Sequence, residues 1–344
     1  MRTEELNYHL PEELIAQAPA EPRDSSRLLL CPRYEGDFET RNFHELPDLL
    51  NVGDAIVVNT ARVMHARLFG YKYPTGAKIE VLLLERIPGE KPMYRALLRR
   101  KRRLDPGDIV LFPESDLHAT VIESNTEIGE DVVELGGAGD IESEIERIGV
   151  IPLPPYITDY RGEIEKYQTV YSRNKGSVAA PTAGLHFTPE LFDRLNAKGI
   201  ERIDVHLRVG WGTFSPIRSE TLEGHKLHAE IGGIPIDSAE KINEKRKNGG
   251  RIVAVGTTVT RLLETAVDNT GKIQPFTGST DLYITPGYTF RAIDALITNF
   301  HLPKTSLLAL VAAFMGTERT LKAYEFAVRK RYRFYSFGDA MLII

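Results

Sequence analysis

The fold class is decided by the stretch Arg251-Ile-Val-Ala-Val-Gly-Thr-Thr258. The apolar residues before Gly256 predict a short, buried strand. Gly256 interrupts that strand, and the residues from Thr257 to about Val267 have the pattern of a helix. A buried strand that turns directly into a helix is typical of a layered α/β domain with a largely parallel sheet.

The flanking sequence shows the same alternation of strands and helices. Thr188 followed by Pro189 predicts a helix start, because the hydroxyl caps a free amide and proline fits the first helical position. Gly199 then ends that helix. Further helices are predicted at residues 238–248, 306–315 and 317–331, and strands at residues 55–58 and 333–344.

Residues 62–148 have a different residue pattern, in which short apolar or alternating runs are separated by Gly and Pro turns. Five or six short strands at this spacing indicate a small β-barrel or sandwich. The expected strands are Val63–Phe69, Lys78–Leu84, Tyr94–Leu98, Ile109–Phe112, His118–Glu123 and Asp131–Leu135. We therefore predict a discontinuous α/β catalytic domain, residues 1–61 plus 149–344, with an inserted small β-barrel domain at residues 62–148.

The charges are unevenly distributed along the chain, whose net charge is -5. Residues 86–103 carry eight Lys or Arg side chains against the single acid Glu90, whereas residues 114–148 carry eleven Asp or Glu side chains. The basic stretch suits a surface that meets phosphate groups. The alternative is a solvated hairpin whose charges keep an edge strand from aggregating.

Composition also limits where the protein acts. Cys31 is the single cysteine, so an intrachain disulfide is excluded and a reducing compartment fits. The most apolar run, Leu307–Met315, is too short to span a bilayer, which takes about 20 residues. The first residues lack the apolar stretch of a secretory signal. We expect a cytoplasmic protein without membrane contact.

Histidines are the candidate acid–base groups. His186, His206, His225 and His228 fall close together in the sequence, and His301 follows in Asn299-Phe-His-Leu-Pro303. Because histidine titrates near neutrality, such clustering indicates proton transfer or metal binding. The alternative is that each histidine is simply buried or solvated with satisfied hydrogen bonds.

The segment from His225 to Glu230 admits two geometries. As a strand, it would place His228 and Glu230 on one face, as a base beside its orienting carboxylate. As a helix, it would place His225 and His228 on one face, where they could bind a metal with His206 as a third ligand. The second geometry describes a zinc hydrolase.

Two segments lead into helix N-termini, where free amides and the helix dipole favour anions. One is the turn-rich loop that contains Pro181, Thr182, Ala183, Gly184 and Thr188, and the other contains Gly256, Thr257 and Thr258. A plain capping role is the alternative for the first segment. The sequence has neither a dinucleotide-binding fingerprint nor a phosphate loop, which removes the main support for dehydrogenases and ordinary nucleotide hydrolases.

Taken together, eight segments in order resemble the S-adenosylmethionine:tRNA ribosyltransferase-isomerase family. They are Leu10–Pro19, Pro181–Thr188, Val209–Phe214, His225–Glu230, Val255–Thr258, Pro286–Tyr288, Leu296–Pro303 and Tyr332–Met341. The resemblance implies transfer and isomerisation of the ribosyl group of S-adenosylmethionine onto 7-aminomethyl-7-deazaguanine at the tRNA wobble position. The products expected from this resemblance are epoxyqueuosine-tRNA, adenine and methionine. The resemblance also implies an α/β domain with an inserted barrel and no metal or other cofactor. Separately, we expect a monomer.

The resemblance also implies roles for individual residues. His225 or His228, oriented by Glu230, is the expected base, and His186 or His301 the expected acid at adenine. His206 is a weaker candidate, because Arg208 stands where the family usually has histidine. The methionine carboxylate is expected at one of the two helix N-termini. Further expected substrate contacts are Gly210, Gly212, Thr213 and Asn299; the expected tRNA contacts are Arg95, Arg99, Arg100, Lys101, Arg102 and Arg103.

Three other functions compete with this reading. A methyltransferase would use the same donor, but the glycine-rich donor loop of that class is missing from the sequence. A metal-dependent hydrolase would use the histidine cluster. A non-catalytic RNA-binding protein would need only the basic stretch, which leaves the histidines without a role.

Overall fold

The computed structural model describes residues 1–99, 104–124, 129–210, 217–227 and 229–344. The chain divides into two compact units, one formed by residues 1–62, 154–174 and 180–344, the other by residues 63–153 and 175–179. The first is a layered α/β unit and the second contains a closed β-barrel. The predicted fold class is therefore confirmed.

One nine-stranded sheet forms the centre of the α/β unit. With strands numbered along the whole chain, it contains β1 (Arg27–Cys31), β2 (Glu39–Asn42), β3 (Ala55–Asn59), β12 (Glu201–Leu207), β13 (Glu230–Ile234), β14 (Ile252–Val255), β15 (Phe276–Thr280), β16 (Ala295–Asn299) and β17 (Ala340–Ile343). The order across the sheet is β15-β13-β12-β3-β14-β16-β17-β1-β2. Neighbouring strands from β12 to β16 run parallel, so their carboxyl ends meet at one edge of the sheet.

Helices cover both faces of this sheet. Alternate strand residues point to opposite faces, so Ile56 and Val253 pack in one core and Val57 and Ala254 in another. The first core includes α1 (Leu46–Leu49) and α3 (Pro189–Ala197); the second includes α4 (Ile236–Lys247), α5 (Thr257–Ala266), α6 (Ser306–Met315) and α7 (Thr317–Arg329). Within the described ranges, no helix is long and apolar enough to cross a membrane.

The helix starts at residues 189 and 257 form as the sequence predicted. Thr188 Oγ1 accepts a hydrogen bond from the Leu191 amide at 3.1 Å, which caps α3. At the start of α5, Gly256 has φ 92°, a value that favours glycine because it has no Cβ. This glycine lets β14 turn at once into α5.

The barrel unit contains six antiparallel strands that close on themselves. They are β5 (Arg67–Tyr73), β6 (Ala77–Arg86), β7 (Met93–Arg99), β8 (Ile109–Leu111), β9 (His118–Ser124) and β10 (Asp131–Gly136), followed by α2 (Ile141–Ile148). The remaining short strands, β4 (Ala61–Val63) and β11 (Asn174–Ser177), lie where the chain passes from one unit to the other. Closure pairs every strand on both sides, which leaves the barrel without a free edge.

Two predicted strands were wrong in extent. The run from Val63 to Phe69 is divided, because β4 ends at Val63 and β5 begins at Arg67. The C-terminal strand begins at Ala340 rather than Arg333. The cause is a turn at Tyr335, whose φ is 73° and whose carbonyl accepts a hydrogen bond from the Gly338 amide at 2.9 Å.

Cys31 lies at the end of β1 and is completely buried. It pairs in register with Ile343 of β17 and belongs to the core beneath α6 and α7. Burial raises the pKa of its thiol above the ordinary value. Cys31 is therefore a core side chain that solvent does not reach in the folded protein.

Candidate active site

A cleft with about 480 Å³ of empty space opens at the carboxyl edge of the parallel strands. Ligands of open α/β sheets bind at this edge. The cleft is lined by residues at or just after the carboxyl ends of β12, β14 and β16, by the loop before α3, by α6 and by the turn before β17. They are Val209, Gly256, Thr257, Thr258, Thr298, Asn299, Phe300, His301, Ala180, Pro181, Thr182, Ala183, Leu307, Tyr335 and Ser336.

His186 lies behind this cleft in a chain of hydrogen bonds. Thr182 Oγ1 donates to Asn299 Oδ1 at 3.0 Å, which leaves Asn299 Nδ2 to donate to His186 Nε2 at 3.1 Å. His186 Nδ1 lies 2.7 Å from Ser26 Oγ. This network assigns the ring proton to Nδ1, since Nε2 must accept. Phe43 stacks on the imidazole with a centroid distance of 4.8 Å.

Burial keeps the His186 ring neutral. It lowers the pKa of His186 to about 3, and the positive charges of Arg333 and Arg23 act in the same direction. A neutral ring whose two nitrogens are both engaged has no proton to give to a ligand in the cleft. The geometry favours a role in which His186 fixes the Asn299 amide, and Asn299 in turn fixes the Thr182 hydroxyl.

His301 lines the cleft directly. Its Nε2 lies 2.9 Å from Thr298 Oγ1, and its backbone amide donates to Tyr324 Oη at 3.1 Å. The Tyr8 hydroxyl donates to its backbone carbonyl. Burial lowers the pKa of His301 to about 3, so this ring is also neutral near pH 7.

A second cavity adjoins the first, because Leu307 lines both. Glu230 and Arg261 lie on its wall, and their side chains form an ion pair that is almost completely buried. Glu230 Oε1 also accepts from the Gly210 amide at 3.0 Å, and Arg261 Nε donates to the Leu282 carbonyl at 2.9 Å. These contacts hold the carboxylate in one orientation beside the cavity.

Comparison with known proteins assigns the family. A family model described as "Queuosine biosynthesis protein" matches residues 3–343. The chain belongs to this family. Relatives named S-adenosylmethionine:tRNA ribosyltransferase-isomerase include those of Desulfitobacterium hafniense (47% identical), Symbiobacterium thermophilum (49%) and Moorella thermoacetica (50%), each with complete coverage of both proteins.

A solved member has the same fold. The crystal structure of S-adenosylmethionine tRNA ribosyltransferase from Thermotoga maritima is 36% identical to this chain, with a TM-score of 0.56. The match covers 99% of this chain and 100% of that chain. Family and fold thus agree over essentially the whole length.

Many residues that the sequence singled out within this family come together in the structure. The first cavity gathers Pro181, Thr182, Ala183, Gly256, Thr257, Thr258, Asn299 and His301; the second contains Gly210 and Glu230. Gly184 and Thr188 line neither cavity. A Cβ on Gly184 would lie 2.0 Å from the Tyr171 hydroxyl, so this glycine allows close packing. The predicted residues Gly212, Thr213, His228, Arg100, Lys101, Arg102 and Arg103 lie outside the described residues.

His206 and His225 occupy different surroundings. His206 lies on β12 against Gly233 of β13 and lines neither cavity. Its pKa is lowered, mainly by burial and also by Arg208. His225 follows a short 3-10 turn and meets the Tyr283 ring edge-on at a centroid distance of 5.6 Å.

Neither the strand nor the helix expected for the segment from His225 to Glu230 is formed by its described residues, so both expectations were wrong. Residues 225–227 form neither helix nor strand, and β13 begins only at Glu230. The shared helical face that a metal site would have needed is therefore not formed. In the part of the chain that the structure describes, no group of three or more His, Cys, Asp or Glu side chains is arranged to hold a metal ion.

Arg261 is a functional candidate that sequence reasoning missed. It lies inside α5 among Val259, Leu262 and Leu263, all buried. An arginine within an apolar helix is a usable signal, because a buried guanidinium requires a partner. Only the fold shows that this partner is Glu230.

Two of the predicted tRNA contacts lie on the barrel. Arg95 and Arg99 project outward from β7, and both are exposed. Each forms a long ion pair with a described carboxylate: Arg95 Nη1 lies 3.8 Å from Glu130 and Arg99 Nη1 lies 3.9 Å from Glu80. Such exposed, long pairs leave both guanidinium groups accessible to another anion.

Proposed function

We propose that this chain is an S-adenosylmethionine:tRNA ribosyltransferase-isomerase. It moves the ribosyl group of S-adenosylmethionine onto 7-aminomethyl-7-deazaguanine at the tRNA wobble position and releases adenine and methionine. The observation that carries the proposal is the match, at 47–50% identity over complete chains, to enzymes of that name. The cleft at the carboxyl edge of the sheet supports it, because open α/β sheets bind their ligands at this edge.

Within the cleft, the hydrogen-bonding role of the Thr182 hydroxyl is fixed. Its proton is used in the bond to Asn299 Oδ1, so toward a ligand it can only accept. A ribose hydroxyl or the amino group of adenine supplies the matching donor. His186 acts behind this contact as a positioning residue, which replaces its expected role as the acid at adenine.

We assign acid–base work to His301, which lines the first cavity, and to a histidine of the segment that precedes Glu230 in the sequence. His301 has Nε2 bonded to Thr298, which leaves Nδ1 to donate a hydrogen bond to an adenine nitrogen. A neutral ring can stabilise the leaving adenine in this way without giving up its proton. The base that removes an acidified hydrogen beside the sulfonium is His225 or His228, with Glu230 held in place by Arg261. Methionine is a good leaving group once the ring closes, so the reaction as proposed needs no metal or redox cofactor.

The inserted barrel is the proposed tRNA-binding part. Arg95 and Arg99, with the basic residues 100–103 that follow in the sequence, would track phosphates of the anticodon stem-loop. The target base would be held by stacking and edge hydrogen bonds after leaving its stack. We further propose that the enzyme is a cytoplasmic monomer.

One assay tests this function against its competitors. The protein is incubated with labelled S-adenosylmethionine and precursor-bearing tRNA, with and without a chelator, and the released small molecules are identified. We expect adenine and methionine in equal amounts, with label retained on the tRNA. Release of S-adenosylhomocysteine would instead identify a methyltransferase. Loss of activity with the chelator would identify a metal enzyme, and a donor that is not consumed would indicate a binding protein.

A further inference from the structure

The N-terminus of α5 forms part of the cleft wall, and no side chain in the described part of the chain caps it. The first amides of any α-helix lack intrahelical acceptors, and the helix dipole places partial positive charge there. α5 spans ten residues, Thr257–Ala266. Among the described residues that line this cleft, none is an Asp or Glu that would occupy these amides or repel an anion.

An unpartnered hydroxyl lies at the same place. Thr258 is 6% exposed, and its Oγ1 is buried without a hydrogen-bond partner among the described residues. Two other threonines of α5 have partners: Thr260 Oγ1 donates to the Gly256 carbonyl at 3.1 Å, and Thr265 Oγ1 to the Arg261 carbonyl at 2.8 Å. A buried hydroxyl without a partner is costly, and a ligand that accepts from it removes that cost.

Gly256 keeps the space in front of this hydroxyl open. A Cβ placed on Gly256 would lie 3.8 Å from Thr258 Oγ1 and 3.6 Å from the Ala183 Cβ. Any side chain at residue 256 would therefore extend into the space beside the first turn of α5. The glycine makes the tight turn and at the same time leaves room for a ligand group.

We propose that the α-carboxylate of the methionine part of S-adenosylmethionine binds here, accepting from the first amides of α5 and from Thr258 Oγ1. The assignment rests on the proposed function, which supplies the donor. The helix N-terminus of α3 does not suit this carboxylate. There, Thr188 Oγ1 already accepts from the Leu191 amide and lies 3.5 Å from a carboxylate oxygen of Asp24, which would repel an anion.

A binding experiment with two ligands isolates this contact. Dissociation constants are measured without tRNA for S-adenosylmethionine and for its decarboxylated analogue, S-adenosyl-3-(methylthio)propylamine. For Thr258→Val we expect at least about a tenfold loss with S-adenosylmethionine, the effect of a hydrogen bond to a charged group. With the analogue, which has no carboxylate, we expect less than about a twofold change. Thr258→Ser restores affinity, and Thr265→Val, in the same helix but outside the cleft, leaves it unchanged.

Gly256 provides an independent test with a matched control. Gly316 precedes α7 with φ 85° and ψ 143°, close to the 92° and 157° of Gly256, and a Cβ on it would meet no atom within 4 Å. Gly256→Ala and Gly316→Ala should therefore introduce similar backbone strain, read as similar shifts of the urea midpoint. Only Gly256→Ala should weaken S-adenosylmethionine binding.

The outcomes separate this assignment from the proposed function. Equal losses with both ligands for Thr258→Val would overturn the carboxylate assignment, as would equal effects of the two glycine variants on ligand affinity. Weakened tRNA binding by Thr258→Val, with unchanged S-adenosylmethionine binding, would assign the site to a phosphate and also overturn it. Failure of the wild-type protein to bind S-adenosylmethionine at all would instead reject the proposed function.

Discussion

The two buried neutral histidines make the stability of the fold depend on pH. His186 and His301 are 5% and 8% exposed, and burial lowers the pKa of each from 6.5 to about 3. In the unfolded chain both rings protonate as the pH falls through about 6.5, whereas in the folded chain they stay neutral until about pH 3. The unfolded state therefore binds more protons in this window, and stability falls as the pH falls.

The size of this loss of stability depends only on the histidine pKa in the unfolded chain, as long as the pKa in the folded chain lies well below the pH of the measurement. Each ring that stays neutral in the folded protein lowers the free energy of unfolding by about 1.36 kcal/mol for each pH unit below 6.5. At pH 5 this amounts to about 2 kcal/mol for each ring. Two rings together lower the free energy of unfolding by about 4 kcal/mol between pH 8 and pH 5. Because a typical domain is stable by only about 5–15 kcal/mol, this is a large fraction.

Urea unfolding of the ligand-free protein at several pH values from 5 to 8, at constant ionic strength, measures this loss. His186→Gln and His301→Gln each remove one titrating ring, so each variant should lose about 2 kcal/mol less than the wild type over this range. The double variant should keep only a small dependence, to which the half-buried His206 contributes in the same direction. Variants as sensitive to pH as the wild type would refute the reasoning.

Three further predictions concern the ion pair, the cofactor requirement and the barrel. Glu230→Gln or Arg261→Leu leaves one buried charge uncompensated and should lower the free energy of unfolding by about 3–5 kcal/mol. The double variant Glu230→Gln/Arg261→Met should recover part of this loss. Single variants as stable as the wild type would contradict the burial of the pair. A chelator should leave turnover unchanged, and a loss that zinc restores would favour the metal-hydrolase alternative. Arg95→Gln with Arg99→Gln should weaken tRNA binding and reduce the slope of log K against log salt by about 0.7–0.9 for each lost phosphate contact, with S-adenosylmethionine binding unchanged. Identical salt slopes would exclude these two residues as phosphate contacts.

The parts of the fold that the sequence predicted are those with local causes. The strand, turn and helix around Gly256 require only an apolar run followed by a residue that tolerates positive φ. The start of α3 requires only the Thr188 hydroxyl and the following proline. The C-terminal strand was predicted too long because a contact between residues far apart in the sequence holds the turn at Tyr335. Its amide donates to the Phe300 carbonyl at 3.0 Å.

The site was predicted as a set of residue types, but not as a geometry. His186 and Asn299 are 113 residues apart in the sequence, so their hydrogen bond depends on the tertiary fold. Sequence reasoning placed a titrating acid at His186 because it could not see that both ring nitrogens are engaged. The pairing of Glu230 with Arg261 was missed for the same reason, since the two residues lie on different elements.

Cys31 offers a built-in reporter of how the sheet opens. A thiol reagent needs an exposed thiolate, and here the sulfur is enclosed between β1, β17 and the helices above them while burial raises its pKa. Labelling can proceed only through molecules in which that part of the sheet has transiently separated. The alkylation rate, compared with that of a free thiol, therefore measures the free energy of this opening in the native protein, much as amide exchange does. The chain carries no second cysteine to confuse the signal.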